Sequence, residues 1–326
     1  MHTDLPLEQL RTYRPQVPEP EDFDEFWDST LAQARAVEAH ATSVPADTPV
    51  TALRVEDVTF PGFDGEPVRA WFVAPRAERP LPCVVEFVGY GGGRGLAHER
   101  LAWAAAGYAH LVMDTRGQAS TWGSGGATAD PHGSGPAHPG VMTRGIGSPQ
   151  EYYYRRLITD AVRAVDHALT RADVDPGRVA VVGTSQGGGM ALAAGALHEA
   201  VAAVVADVPF LCHVDRAITI TDAAPYAEIT AYLAVHRGMR GQVFRTLSYV
   251  DGVVMARRIT APTMVSVALM DQTCPPSTVF AAANAIPVPP AIEVYPFNGH
   301  EGGDHEQWVR SASWLGEVLG SGSNDG

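Results

Sequence analysis

Ser185 stands between glycines in Gly183-Thr184-Ser185-Gln186-Gly187, inside the longer stretch "VAVVGTSQGGGMALAAGAL". The run before Gly183 reads as a short buried strand. The alanine-rich segment after Gly189, with Met190, Leu192 and Leu197, reads as a helix. A serine at that switch matches G-x-S-x-G, the nucleophile elbow, whose glycines leave room for a bend that no flanking side chain could share. A bare hydroxyl is a poor nucleophile, so Ser185 needs a base to take its proton and an acid to orient that base. The elbow predicts the order serine, then Asp or Glu, then His, on loops at the C-terminal ends of later strands. Asp271 ends "TMVSVALMD" and His300 follows "IEVYPFNG", both where a strand should reach the same rim. The chemistry this trio offers is acyl transfer.

Competing residues fit less well. His305 falls at the start of the last helix and reads as a surface group, while His213 precedes Asp271, the wrong order for the base. Asp251 sits in an excursion from the sheet, and Asp207 reads as a structural acid near the site. Acyl transfer also needs donors for an oxyanion. The backbone N–H of Gln186, just after the serine, is the expected first donor. The loop "VEFVGYGGGRG" supplies the second, through the N–H of Tyr90. That loop lacks the Lys-Ser/Thr ending of a phosphate-binding loop.

The elements that must position these groups follow a βαβ rhythm. "DFDEFWDSTLAQARAVEAH" (22–40) places Phe23, Phe26, Trp27, Leu31 and Ala34 on one face of a helix. "LRVEDVTF" and "PVRAWFVAP" read as an antiparallel strand pair. "PCVVEFVG" and "YAHLVMD" are apolar strands with a helical "LAHERLAWAAAG" between them, and the alternation continues to the closing helix "HEQWVRSASWLGEVL". This is the pattern of a mostly parallel sheet covered on both faces. The expectation is one α/β domain over 1–326, with an N-terminal extension at about 1–48. Insertions are expected at about 117–150, rich in Gly, Pro, Ser and Thr, and at about 211–258, which reads as helical.

Composition narrows the partners. The chain has 326 residues, 45% hydrophobic and 18% charged, which suffices for a packed core. A formal net charge of −14 argues against nucleic acid and anionic membrane as partners. Cys83, Cys212 and Cys274 have no metal or redox spacing and are expected as buried free thiols. "MHTDLPLEQLRTYRPQ" carries no secretory pattern and no apolar run has transmembrane length, so a cytoplasmic location is expected.

With these residues in hand, the chain resembles carbohydrate esterase family seven, the acetyl xylan esterases and cephalosporin C deacetylases. Arg116-Gly117-Gln118, "GTSQG" and His300-Glu301 carry the resemblance, supported by "MDTRGQ", "YYYRRLITDAVRAV", "DVPFLCH", "PYAEIT", "FRTLSYVDG" and "CPPSTVFAA". It implies an α/β-hydrolase fold and a triad on Ser185, Asp271 and His300. An oxyanion hole on Tyr90 and Gln186 follows, as does an acyl pocket lined by Phe210 and Pro225. It further implies hydrolysis of small acetyl esters of carbohydrates, with neither cofactor nor metal, by a homohexamer. Gly91 stands where the family usually has Asn, and Thr184 where Gly is frequent. The alternatives are a peptidase on the same fold, for which no propeller repeat is present, and a non-catalytic binding protein, which usually loses a triad member.

Overall fold

The computed structural model of the chain describes residues 4–133 and 135–320. Its strands are β1 (Thr42–Pro45), β2 (Arg54–Pro61), β3 (Pro67–Ala74), β4 (Leu81–Phe87), β5 (Ala109–Met113), β6 (Val174–Thr184), β7 (Val201–Asp207), β8 (Thr263–Ala268) and β9 (Ala291–Tyr295). They form a nine-stranded sheet in the order β1-β2-β3-β5-β4-β6-β7-β8-β9. Pairing is antiparallel from β1 to β3 and between β3 and β5, and parallel from β5 through β9. The parallel strands are short runs rich in Val and Ala because both faces are covered: every residue of β5 and β8 is buried.

Alternate strand residues divide the core into two layers. Val85 and Val181 face the larger layer, under the helices Phe23–Ala36, Tyr153–Thr170 and Gln186–Leu197. Val84, Ala180, Val182 and Val205 face the other, beneath Trp103 and Leu315 of the helices Ala102–Ala105 and Asp304–Val318. The helix Phe23–Ala36 docks as its pattern predicts, with Phe23, Phe26, Trp27, Leu31 and Ala34 buried. Each large side chain so removed from water stabilises the fold by about 1.5–3 kcal/mol. The Trp27 indole also donates to the Tyr249 carbonyl at 2.9 Å, tying this helix to the second insertion.

Two sequence expectations change. "LAHERLAWAAAG" holds only the single helical turn Ala102–Ala105. Arg100 is drawn out of a helical path by its ion pair with Glu86, and its carbonyl meets His110 Nδ1 at 3.2 Å. β1 carried no signal, because all four of its residues are exposed and only backbone pairing with β2 makes it a strand. Residues 211–258 hold the helices Val214–Ile220, Tyr226–Val235, Arg240–Ser248 and Gly252–Ala256, as their composition suggests. Among the described residues no helix is long and apolar enough to cross a membrane.

Candidate active site

The turn between β6 and the helix Gln186–Leu197 places Ser185 at φ 59°, ψ −119°, a conformation that L-residues rarely adopt. The surroundings hold it there. Its N–H donates to the Asp207 carbonyl at 2.9 Å, and its carbonyl accepts from Phe210 N–H at 2.9 Å. A Cβ on Gly183 would overlap the Gly187 backbone, and one on Gly187 would overlap the Phe87 carbonyl. Both glycines are therefore required by close backbone approach, as the elbow pattern implies.

The three groups chosen from sequence order meet. His300 Nε2 lies 2.9 Å from Ser185 Oγ, and His300 Nδ1 lies 2.8 Å from Asp271 Oδ2. An ionised carboxylate only accepts, so Nδ1 carries the proton and Nε2 presents its lone pair to the serine hydroxyl. Asp271 is itself fixed, its Oδ1 accepting the N–H groups of Thr273 at 2.8 Å and Cys274 at 2.9 Å. Its side chain is fully buried while that of His300 is 35% exposed, so the imidazole can meet a substrate and the acid cannot.

Cys274 belongs to this cluster, and nothing in its spacing announced that. Ligand atoms of Asp271, Cys274 and His300 lie within 4.8 Å of one another, and the thiol faces the Ser185 hydroxyl. Both ring nitrogens of His300 are engaged by Asp271 and Ser185, so the set is organised for proton transfer rather than for holding a metal. Burial pushes the Cys274 thiol well above its ordinary value and keeps it protonated.

The proposed oxyanion donors sit on two loops joined by the Gln118 side chain and by Gln186 Nε2, which donates to the Val88 carbonyl at 3.3 Å. Gln186 begins its helix, so its N–H is among those a helix leaves without an internal partner. Gln118 Oε1 accepts the N–H of Gly91, next to Tyr90, at 2.6 Å. Its Nε2 donates to Gln186 Oε1 at 2.9 Å and to the Tyr153 hydroxyl at 2.8 Å. Tyr154 donates to the same Gln186 oxygen at 2.9 Å. Gly91 adopts φ 80°, which suits glycine, where the resemblance led one to expect Asn. Thr184, the other departure, is exposed at the end of β6.

Further contacts on Tyr90 come from the first insertion. Trp122 Nε1 donates to its carbonyl at 2.6 Å, and its hydroxyl accepts from Val141 N–H at 2.8 Å. That hydroxyl donates to Glu228 at 2.5 Å, and Glu228 also receives Met142 N–H at 3.0 Å. Desolvation by burial raises the Glu228 carboxyl above the usual range, against the lowering effect of these bonds. Just before Gln118, the buried Arg116 guanidinium grips Asp160 at 2.5 and 2.9 Å and Glu66 at 2.6 Å, anchoring the start of the loop.

Phe210 is fully buried, its ring 4.4 Å from that of Tyr226 and 6.5 Å from that of Tyr90. Pro225 is buried immediately before Tyr226. The residues set aside stay outside the relay. His305 is 97% exposed, and His213 Nε2 lies 3.2 Å from Asp215. Asp251 caps two segments through the N–H groups of Val214 at 2.9 Å and Val253 at 2.8 Å. Asp207 lends its carbonyl to Ser185, while its carboxyl takes Gln307 Nε2 at 2.8 Å and is pushed up to about 7 by burial. A cavity of about 650 Å³ between residues 17–22 and 240–251 includes no residue flanking the trio.

The family model described as acetyl xylan esterase (AXE1) matches residues 1–318. Acetyl esterase Axe7A of Xylanibacter ruminicola is 27% identical over 311 residues, 88% of this chain, and the chain spans 65% of that relative's length. The structure of an acetyl xylan esterase from Paenibacillus sp. R4 superposes with a TM-score of 0.89 at 39% identity, covering 95% of this chain and 99% of that one. Acetyl xylan esterase 1 from Thermoanaerobacterium sp. JW/SL YS485 gives a TM-score of 0.89 at 34% identity, covering 98% and 100%.

Proposed function

Since this chain belongs to the acetyl xylan esterase family, an α/β-hydrolase family, we propose that it hydrolyses acetyl esters of carbohydrates through an acetyl-Ser185 intermediate. The observation that carries the reading is the unbroken hydrogen-bonded line from Ser185 Oγ through His300 to Asp271. As Ser185 Oγ attacks the acetyl carbonyl carbon, His300 Nε2 takes its proton, and the Asp271 carboxylate stabilises the imidazolium. The N–H groups of Tyr90 and Gln186 hold the oxygen that becomes negative. When the tetrahedral species collapses, the bond to the sugar oxygen breaks and His300 returns the proton to that oxygen. Water then attacks the acetyl-enzyme with His300 again as base, releasing acetate and restoring the Ser185 hydroxyl.

Phe210, packed on Tyr226, stands where the family resemblance puts the acyl pocket, and an acetyl group is the acyl chain proposed for it. Acetylated xylo-oligosaccharides are the proposed substrates, and the ester of cephalosporin C is a further one of the same acetyl class. A homo-oligomer, hexameric by the family resemblance, is proposed alongside and is tested by sedimentation. The central test is Ser185→Ala, which should lower kcat on p-nitrophenyl acetate by a factor on the order of 10⁴ to 10⁶. Activity near that of the wild type would reject the assignment.

A further inference from the structure

The C-terminal edge of the sheet has a second concavity that the acyl chemistry leaves unused. On the face that packs Val84, Ala180, Val182 and Val205, the strands turn polar toward their C-terminal ends, presenting Glu86, Thr184 and Asp207. Over these ends lies a groove of about 740 Å³, between the single turn Ala102–Ala105 and the helix Asp304–Val318. Ligand pockets run to about 300–1,000 Å³. The groove exists because the helix expected at residues 96–107 is reduced to one turn, which leaves the sheet uncovered beside it.

Three of its walls are neighbours of the reaction centre. Thr184 precedes Ser185, Glu301 follows His300, and the Trp122 indole is bonded to the carbonyl of Tyr90. Its chemistry suits a polyol. Trp103 is buried against Trp308, their rings tilted at 5.3 Å. Trp308 is part-exposed and lines the groove, and Trp122 is 46% exposed, so the indoles of Trp308 and Trp122 are at hand for the polarised C–H groups of a pyranose. Arg100 is committed to Glu86, and His110 Nε2 lies 2.8 Å from the same carboxylate. Glu99, Glu301 and Asp304 at the rim disfavour an anion. Glu301 already accepts from Asn298 and Gly299, which weakens any claim on a cation.

We propose that this groove seats the sugar chain of the substrate, a neutral pyranose oligomer whose acetylated unit reaches Ser185. The proposal rests on the esterase reading of Ser185 and adds where the alcohol side lies.

Two variants test it. Trp308→Phe trims the indole surface that lines the groove, and Ala102→Trp fills the groove from an exposed position. For each, kcat/KM is measured on acetylated xylotetraose and on p-nitrophenyl acetate, and the ratio of the two should fall about tenfold. Unacetylated xylotetraose should quench wild-type tryptophan fluorescence saturably, with weaker binding in both variants. An unchanged ratio in both variants, or no binding of xylotetraose to the wild type, overturns the proposal. Tighter competition by acetylcholine than by xylotetraose overturns the neutral-sugar assignment. A wild type that cleaves neither ester would instead refute the esterase reading, and the xylotetraose titration still decides the groove.

Discussion

Replacing Gln118 with alanine removes a side chain that bridges the two loops proposed to hold the oxyanion. It deletes the acceptor for Gly91 N–H at 2.6 Å and the donor to Gln186 Oε1 at 2.9 Å and to the Tyr153 hydroxyl at 2.8 Å. Gln186 Oε1 still accepts from Tyr154 and the Tyr153 hydroxyl still donates to the Arg116 carbonyl, so only the Gly91 N–H loses its partner and the fold should lose about 1–3 kcal/mol. Catalysis suffers separately. Deleting an oxyanion donor outright costs about 10²–10³ in kcat. Here the Tyr90 and Gln186 N–H groups remain and only their mounting is loosened, so kcat on p-nitrophenyl acetate should fall about 10- to 100-fold. KM should stay within about threefold, because the ground-state ester leans little on these donors. The assay is steady-state turnover per active site, with sites counted by organophosphate titration so that unfolded protein does not register. A kcat within twofold of wild type in a folded variant, or a loss carried by KM alone, would refute the bridging role.

The remaining expectations concern the relay, the elbow and one partly buried acid. Asp271→Asn leaves the geometry but removes the charge that stabilises the imidazolium; kcat should fall by about 10⁴, and a loss below tenfold would contradict the relay. Gly187→Ala drives a Cβ into the Phe87 carbonyl, backbone against backbone, and should lower Tm by at least about 5 °C or abolish soluble expression. Asp207 is held near 7 by desolvation, against the lowering effect of its bonds to the Ser266 hydroxyl and the Gln307 amide. The native state therefore binds its proton more tightly than the unfolded chain, and stability must fall as pH rises from about 4 to 7, by at most about 4 kcal/mol. Urea midpoints at pH 5 and pH 8 should differ in the wild type and converge in Asp207→Asn; equal gaps in both proteins would dismiss the effect.

Sequence reasoning reached the trio because chain order and strand ends are one-dimensional properties, and Ser185, Asp271 and His300 each end a recognisable apolar run. The same logic found the parallel strands and the N-terminal helix. It did not find β1, which has no buried side and is defined by its neighbour's backbone. It overextended the helix at 96–107, where Arg100 answers to Glu86 on another strand. Gln118 was visible as part of a motif, yet its partners Gly91, Tyr153 and Gln186 are brought together only by the fold. Cys274 was legible only as a buried thiol. Trp122 left a faint trace, a lone large aromatic in a run of small residues.

The insertion at 117–150 supplies neither nucleophile, acid nor base, yet Gln118, Trp122 and Val141 all end on Tyr90 or its neighbour. If the Tyr90 N–H holds the oxyanion as proposed, changes in a segment that a deletion survey would treat as expendable padding should act as a throttle on rate without disturbing a single reacting atom.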